Sequence, residues 1–229
     1  MMRARSYIPL GIAAWLAACA ESTGPPVPQS PLVRSDGQLH HLKWQSTTGR
    51  REFRVDGERG RPQLAQGAQS GPVLDRHQVS FWAFPSRDQS IQINYRASDG
   101  TWRPYVRFSV PKQSLSRWPN GKLIAKGDSV SITVSIDTTT LIVHFEPAGL
   151  AFSWVAPAQL TVWYTGADPD FDASGTVDQR DRYIEQRLLR MWVQQNAGNP
   201  WSALGATQSV SSKTFTGSLN HFSGYALSW

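Results

Sequence analysis

Residues 129–136, SVSITVSI, alternate without a break: Val130, Ile132, Val134 and Ile136 are apolar, while Ser131, Thr133 and Ser135 are polar. A period of two puts one residue class on each face of an extended strand, whereas a helix would scatter both classes around its axis. A strand dry on one side and wet on the other belongs in an antiparallel sheet. The same alternation runs through QVSFWAF (78–84), SIQINYR (90–96), YVRFSV (105–110), TLIVHFE (140–146) and QLTVWYT (159–165). It returns in LLRMWVQQ (188–195), WSALGA (201–206), KTFTGSLNHF (213–222) and GYALSW (224–229), with turn residues such as PSRD, ASDG and NAGNP between strands. Residues 76–229 are therefore expected to form one all-β domain, an antiparallel β-sandwich of roughly eight to ten short strands. The one helix expected is residues 178–187, with Tyr183, Ile184 and Leu188 docking it on the sandwich.

The N-terminus bears on location. Arg3 and Arg5 precede an apolar run, Tyr7 to Ala18, that ends in small residues, the pattern of an export signal. The run is shorter than the ~20 residues a membrane-spanning helix needs. Leu16-Ala17-Ala18-Cys19 resembles the lipobox of bacterial lipoproteins. That resemblance implies removal of the signal peptide 1–18, a diacylglyceryl group on Cys19, and attachment to the membrane through that residue. Ala20, where an aspartate would favour inner-membrane retention, points to the outer membrane of a Gram-negative-type bacterium.

Cys19 is the only cysteine, so no internal disulfide can brace an exported domain, and its core or a metal must do so. Residues 19–75 read as a poorly ordered tether: Pro- and Ser-rich over 20–35, then polar, with one weak hairpin around EFRVDGERGRPQLA. Residues 34–126 carry 16 basic and 7 acidic residues, whereas 127–229 carry 5 and 9. On an exported chain this asymmetry suits a solvated face near anionic lipid or lipopolysaccharide, and no nucleic-acid partner is expected. Tryptophans at 44, 82, 102, 118, 154, 163, 192, 201 and 229 fit the core and sheet edges. A glycan partner would need several of them in one exposed plane.

DFDASGTVDQRD, residues 170–181, interrupts the strand pattern with oxygen-bearing side chains at Asp170, Asp172, Ser174, Asp178 and Asp181. A hard cation such as Ca2+ takes six to eight oxygens at ~2.3–2.6 Å. A chain curling around the ion supplies them at positions 1, 3, 5, 7, 9 and 12, with glycine at 6. Set on Asp170, this frame puts Gly175 at 6, Thr176 at 7 as a backbone carbonyl, an aliphatic Val177 at 8, and Asp181 at 12. The loop resembles those of EF-hands and, with aspartate closing it, of dockerins. Neither an entering helix nor a second loop accompanies it. The expectation is one structural calcium site, made by Asp170, Asp172, Ser174, Thr176, Asp178 and Asp181, in an insertion spanning 168–187.

LIVHFEPAGLAF (141–152) and the terminal LNHFSGYALSW resemble ZU5-like β-sandwich domains, above all bacterial lipoprotein versions. The segment F-E-P-x-G-L-x-F and the ending HFSxYA carry the likeness over residues 120–229, and more loosely from 78. Some ZU5-related domains cleave themselves within His-Phe-Ser. The resemblance then implies His221 as base, Ser223 as nucleophile and the Phe222 carbonyl as target. The alternative is that these residues only shape the bend into the last strand. No Cys-His pair, Gly-x-Ser-x-Gly or phosphate-binding glycine loop occurs. The expected function is a non-catalytic binding or scaffold module of the cell envelope with an unidentified glycan or protein partner.

Overall fold

The computed structural model describes residues 39–45 and 71–229. The export signal, Cys19, the Pro- and Ser-rich stretch and the weak hairpin lie outside the described residues.

The expected all-β architecture is what forms. Thirteen strands occur among the described residues: β1 Gln78–Ala83, β2 Gln89–Arg96, β3 Trp102–Val110, β4 Leu115–Arg117, β5 Val130–Asp137, β6 Ile142–Glu146, β7 Ala151–Phe152, β8 Ala158–Trp163, β9 Arg190–Gln194, β10 Ser202–Ala203, β11 Ala206–Ser209, β12 Thr214–Leu219 and β13 Gly224–Ser228. One sheet has the order β1-β5-β6-β13-β9-β10 and the other β11-β12-β8-β3-β2, with β4 and β7 forming a separate ribbon. All pairings are antiparallel.

The alternation read from the sequence sets the inward faces. Val130, Ile132, Val134 and Ile136 of β5 are buried, as are Val106, Phe108 and Val110 of β3. Removing each such side chain from water contributes about 1.5–3 kcal/mol. At the centre, the Phe108, Phe145, Phe152 and Phe222 rings pack at centroid separations of 4.8 to 6.3 Å. Val106, Phe108 and Leu160 have no exposure, so one continuous core lies between the sheets.

The register also sorts the connections by end. Ala83 pairs Val130, and Ser109 pairs Gln159, so the β1–β2 turn, residues 111–129 and residues 153–157 share one end. Ile142 pairs Asp137, and Trp102 pairs Arg96, so the β2–β3 and β5–β6 turns share the other end with the segment that leaves β8.

The tether expectation needs correction for residues 39–45 and 71–75, which pack on the body. His41 pairs its backbone with Ser228 and Trp44 with Ala167. Leu42 is buried, and His40 stacks on Trp229 with centroids 5.4 Å apart. Leu74 is buried too, and Val73 accepts a hydrogen bond from Arg96 N. An isolated leucine and tryptophan in a polar stretch carry no period, which is why the pattern missed them.

The short helical segment forms where it was expected, over 179–188, with its second half wound as a π turn. Residues Gln179–Tyr183 form α1, and Ile184–Leu188 form a π turn that leads into β9. Ile184 docks the segment and is buried, but Tyr183 is 57% exposed and takes no part.

Candidate functional site

The acidic loop begins where β8 ends. Gly166 lies against the Trp44 indole so closely that an added Cβ would stand 2.6 Å from the ring. Asp168 N donates to Lys43 O at 2.8 Å. Phe171 is buried edge-on to Trp229, at 5.8 Å and 89°. On the far side Ile184 enters the core. The loop is thus pinned on both flanks before any ion is considered.

Within it, side-chain oxygens fold the backbone. Asp170 accepts Ser174 N at 3.0 Å on Oδ1 and Gly175 N at 2.7 Å on Oδ2. Asp172 Oδ1 accepts Ser174 N at 3.1 Å. Asp181, 2% exposed, accepts Phe171 N at 2.7 Å and Asp172 N at 3.3 Å on Oδ1, and Asp178 N at 2.9 Å on Oδ2. Gly175 adopts φ +89°, a conformation that glycine alone takes without cost, and this permits the reversal at position 6.

Asp170, Asp172 and Asp181 each direct an oxygen into one cluster, within 4.8 Å of one another. Three of the six expected ligands therefore converge. Ser174 Oγ donates to Thr176 O at 3.1 Å, so the fourth and fifth donors are mutual neighbours. Asp178 is placed differently. It is the N-cap of α1, accepting Arg180 N at 2.7 Å, and it forms a capping box with Asp181. Its carboxylate stands outside the cluster of three.

Like charges at this spacing repel by about 1 kcal/mol per pair even in water. The backbone N–H groups offset part of that repulsion, and the Arg180 guanidinium offsets more, with Nε 3.2 Å from Asp172 Oδ2. Desolvation by itself would raise the Asp172 carboxyl, but the Ser174 hydrogen bonds and the Arg180 charge outweigh it and hold the group below its ordinary value. Sequence reading passed over Arg180 and Phe171. A basic residue at position 11 and an aromatic one at position 2 were the available signals.

The second candidate is the bend before β13. Ser223 Oγ lies 3.0 Å from His221 Nδ1, and the same nitrogen is 3.3 Å from Phe222 O. The bend is held from several sides. Tyr225 Oη donates to His221 O at 2.7 Å, Phe222 N donates to Leu150 O at 2.9 Å, and His221 pairs its backbone with Ala151. Phe222 is 1% exposed, at the centre of the aromatic cluster. Burial pushes the Tyr225 phenol up, so that hydroxyl remains a donor throughout the ordinary pH range.

Among the described residues, the exposed tryptophans do not form a common platform. Trp82 lies on β1 of one sheet, Trp102 on β3 of the other, and Trp154 in the loop after β7. Trp192 is buried, its Nε1 donating to Ser228 O at 3.0 Å.

Compared with models of known families, with curated proteins and with solved structures, the chain finds no match.

Proposed function

We propose that this chain is an exported, non-catalytic β-sandwich module, lipid-anchored at Cys19 in the outer membrane of a Gram-negative-type envelope, whose loop 170–181 holds one structural calcium ion. The observation carrying the calcium reading is the convergence of Asp170, Asp172 and Asp181 within 4.8 Å in a loop flanked by buried Phe171 and Ile184. Ser174 Oγ and the Thr176 carbonyl would add oxygens of the hard type this ion takes. The ion would supply positive charge only, bracing the segment between β8 and β9. Without it, the carboxylates repel and the loop loosens. Calorimetric titration of calcium into the wild-type chain and into Asp170→Ala tests this reading, and mass measurement of the exported protein tests the acyl group on Cys19.

A second reading has a specific observation in its favour. The 3.0 Å contact between Ser223 Oγ and His221 Nδ1 is the spacing of a hydroxyl beside its base. In that reading His221 takes the Ser223 proton and Oγ attacks the Phe222 carbonyl carbon. The peptide C–N bond then breaks as His221 returns that proton to the Ser223 nitrogen, which leaves as the amine, and an ester remains for water to hydrolyse. ZU5-type self-cleavage of this kind would leave both fragments held together by the sheets.

A further inference from the structure

The end of the sandwich opposite the acidic loop exposes apolar groups that its core does not use. Trp154 is 82% exposed and Val155 is 96% exposed, side by side in the connection from β7 to β8. Leu123 is 63% exposed in the connection from β4 to β5. The β7–β8 connection adjoins the β3–β4 connection, which in turn adjoins the β1–β2 turn. Ser153 N donates to Ser114 O at 2.7 Å, and Gln113 N donates to Pro85 O at 2.8 Å, joining three connections at this end. A tryptophan beside a valine at a fixed loop tip gains little from water and much from an interface that takes both an apolar body and a polar edge.

The charge at this end has one sign in excess. Arg87, Lys112, Arg117, Lys122 and Lys126 are exposed here, against Asp88, Asp128 and Glu146. Each of the three carboxylates accepts a backbone N–H of its own or a neighbouring turn, from Lys112, Ala125 and Ala148 respectively. Lys112, Lys122 and Lys126 form no ion pair among the described residues. Apolar tips at the same end as ammonium groups without a carboxylate partner match the two layers of an anionic membrane surface, headgroup outside and acyl chain beneath.

We infer that this end docks on an anionic phospholipid bilayer, with Trp154 and Val155 entering the interface and Lys112, Lys122 and Lys126 meeting the headgroups. The inference does not depend on the calcium reading, because that loop lies at the opposite end. Residue 39 also emerges there. The 20 residues from Cys19 to Leu39 span at most ~70 Å, against ~30 Å for the longest strand, so an anchor at Cys19 leaves the tip within reach of the same bilayer.

The test exploits the single cysteine. In the full chain carrying Cys19→Ser, an environment-sensitive fluorophore is attached through Val155→Cys or, as a control at the opposite end, through Trp102→Cys. Both sites are exposed, and thermal melts confirm that each variant folds. Vesicles of phosphatidylglycerol and phosphatidylethanolamine, with chelator present, should shift the emission at 155 to the blue and leave 102 unchanged. The vesicle concentration at half-shift should rise about fivefold for each of Lys112→Gln and Lys122→Gln. An unshifted probe at 155, equal shifts at 155 and 102, or an equal response to phosphatidylcholine vesicles would overturn the inference. The site-specific comparison holds however the N-terminal segment behaves.

Discussion

Ser223 Oγ sits 3.0 Å from His221 Nδ1, within hydrogen-bonding distance of the ring and next in sequence to Phe222, whose side chain is buried in the aromatic core. Two uses of that geometry make opposite predictions under denaturing mass spectrometry. If the contact shapes the bend into β13, the purified chain is a single intact species. A pair of fragments split after Phe222, absent in Ser223→Ala and in His221→Ala, would instead establish self-cleavage.

Trp44 fills the gap above Gly166, edge-on to Tyr95 at 5.0 Å and to Tyr105 at 5.2 Å. Trp44→Ala should cost about 3 kcal/mol in denaturant unfolding, because it opens this space. Gly166→Ala should cost about 1–3 kcal/mol by itself, its methyl meeting the indole. In the Trp44→Ala background that second penalty should vanish, since the partner of the clash is gone. Full additivity of the two changes would place Trp44 elsewhere.

Asp99 caps the β2–β3 turn. The Thr101 hydroxyl and N–H, with the Arg103 guanidinium, hold its carboxyl at about 2, below the ordinary 3.8. A carboxyl depressed by folding stabilises the turn fully above the ordinary value. That contribution fades as pH falls from 3.8 toward 2. Carboxyl-detected NMR titration should give a midpoint near 2 for Asp99, rising toward 3.8 in Thr101→Val. An unchanged midpoint in the variant would remove Thr101 as the main cause.

The sandwich was legible because β5, β3 and β8 obey a period of two. Their outward residues, Ser131, Thr133 and Ser135 among them, remain polar because water covers that face. β9 departs from this rule. Met191, Trp192 and Val193 are all buried, and Trp192 turns its Nε1 to Ser228 O. Residues 39–45 were illegible for a related reason. Their contacts reach across the whole chain, from His41 to Ser228 and from Trp44 to Ala167, and nothing local records them. At the acidic loop, spacing brought out Asp170, Asp172 and Asp181 together. It could not separate ligand from cap at Asp178, because position 9 of the loop is also the residue before α1.

That ambiguity yields a discriminating pair of variants. Asp178→Ala should lose about 1 kcal/mol of stability with the helix cap, while its calcium affinity stays within a few-fold of wild type. Asp170→Ala removes both a clustered carboxylate and the acceptor for Ser174 N and Gly175 N, so it should abolish calcium binding. Equal loss of affinity in the two variants would put Asp178 among the ligands.

The most direct test of the central claim is a calcium titration of the wild-type chain by calorimetry, paired with thermal melts in excess calcium and in chelator. The account predicts a single site with a dissociation constant of ~10⁻⁴–10⁻³ M. At ten times that concentration it predicts about 1.4 kcal/mol of added stability, seen as a higher melting temperature. No heat of binding, together with identical melting in calcium and in chelator, would contradict it.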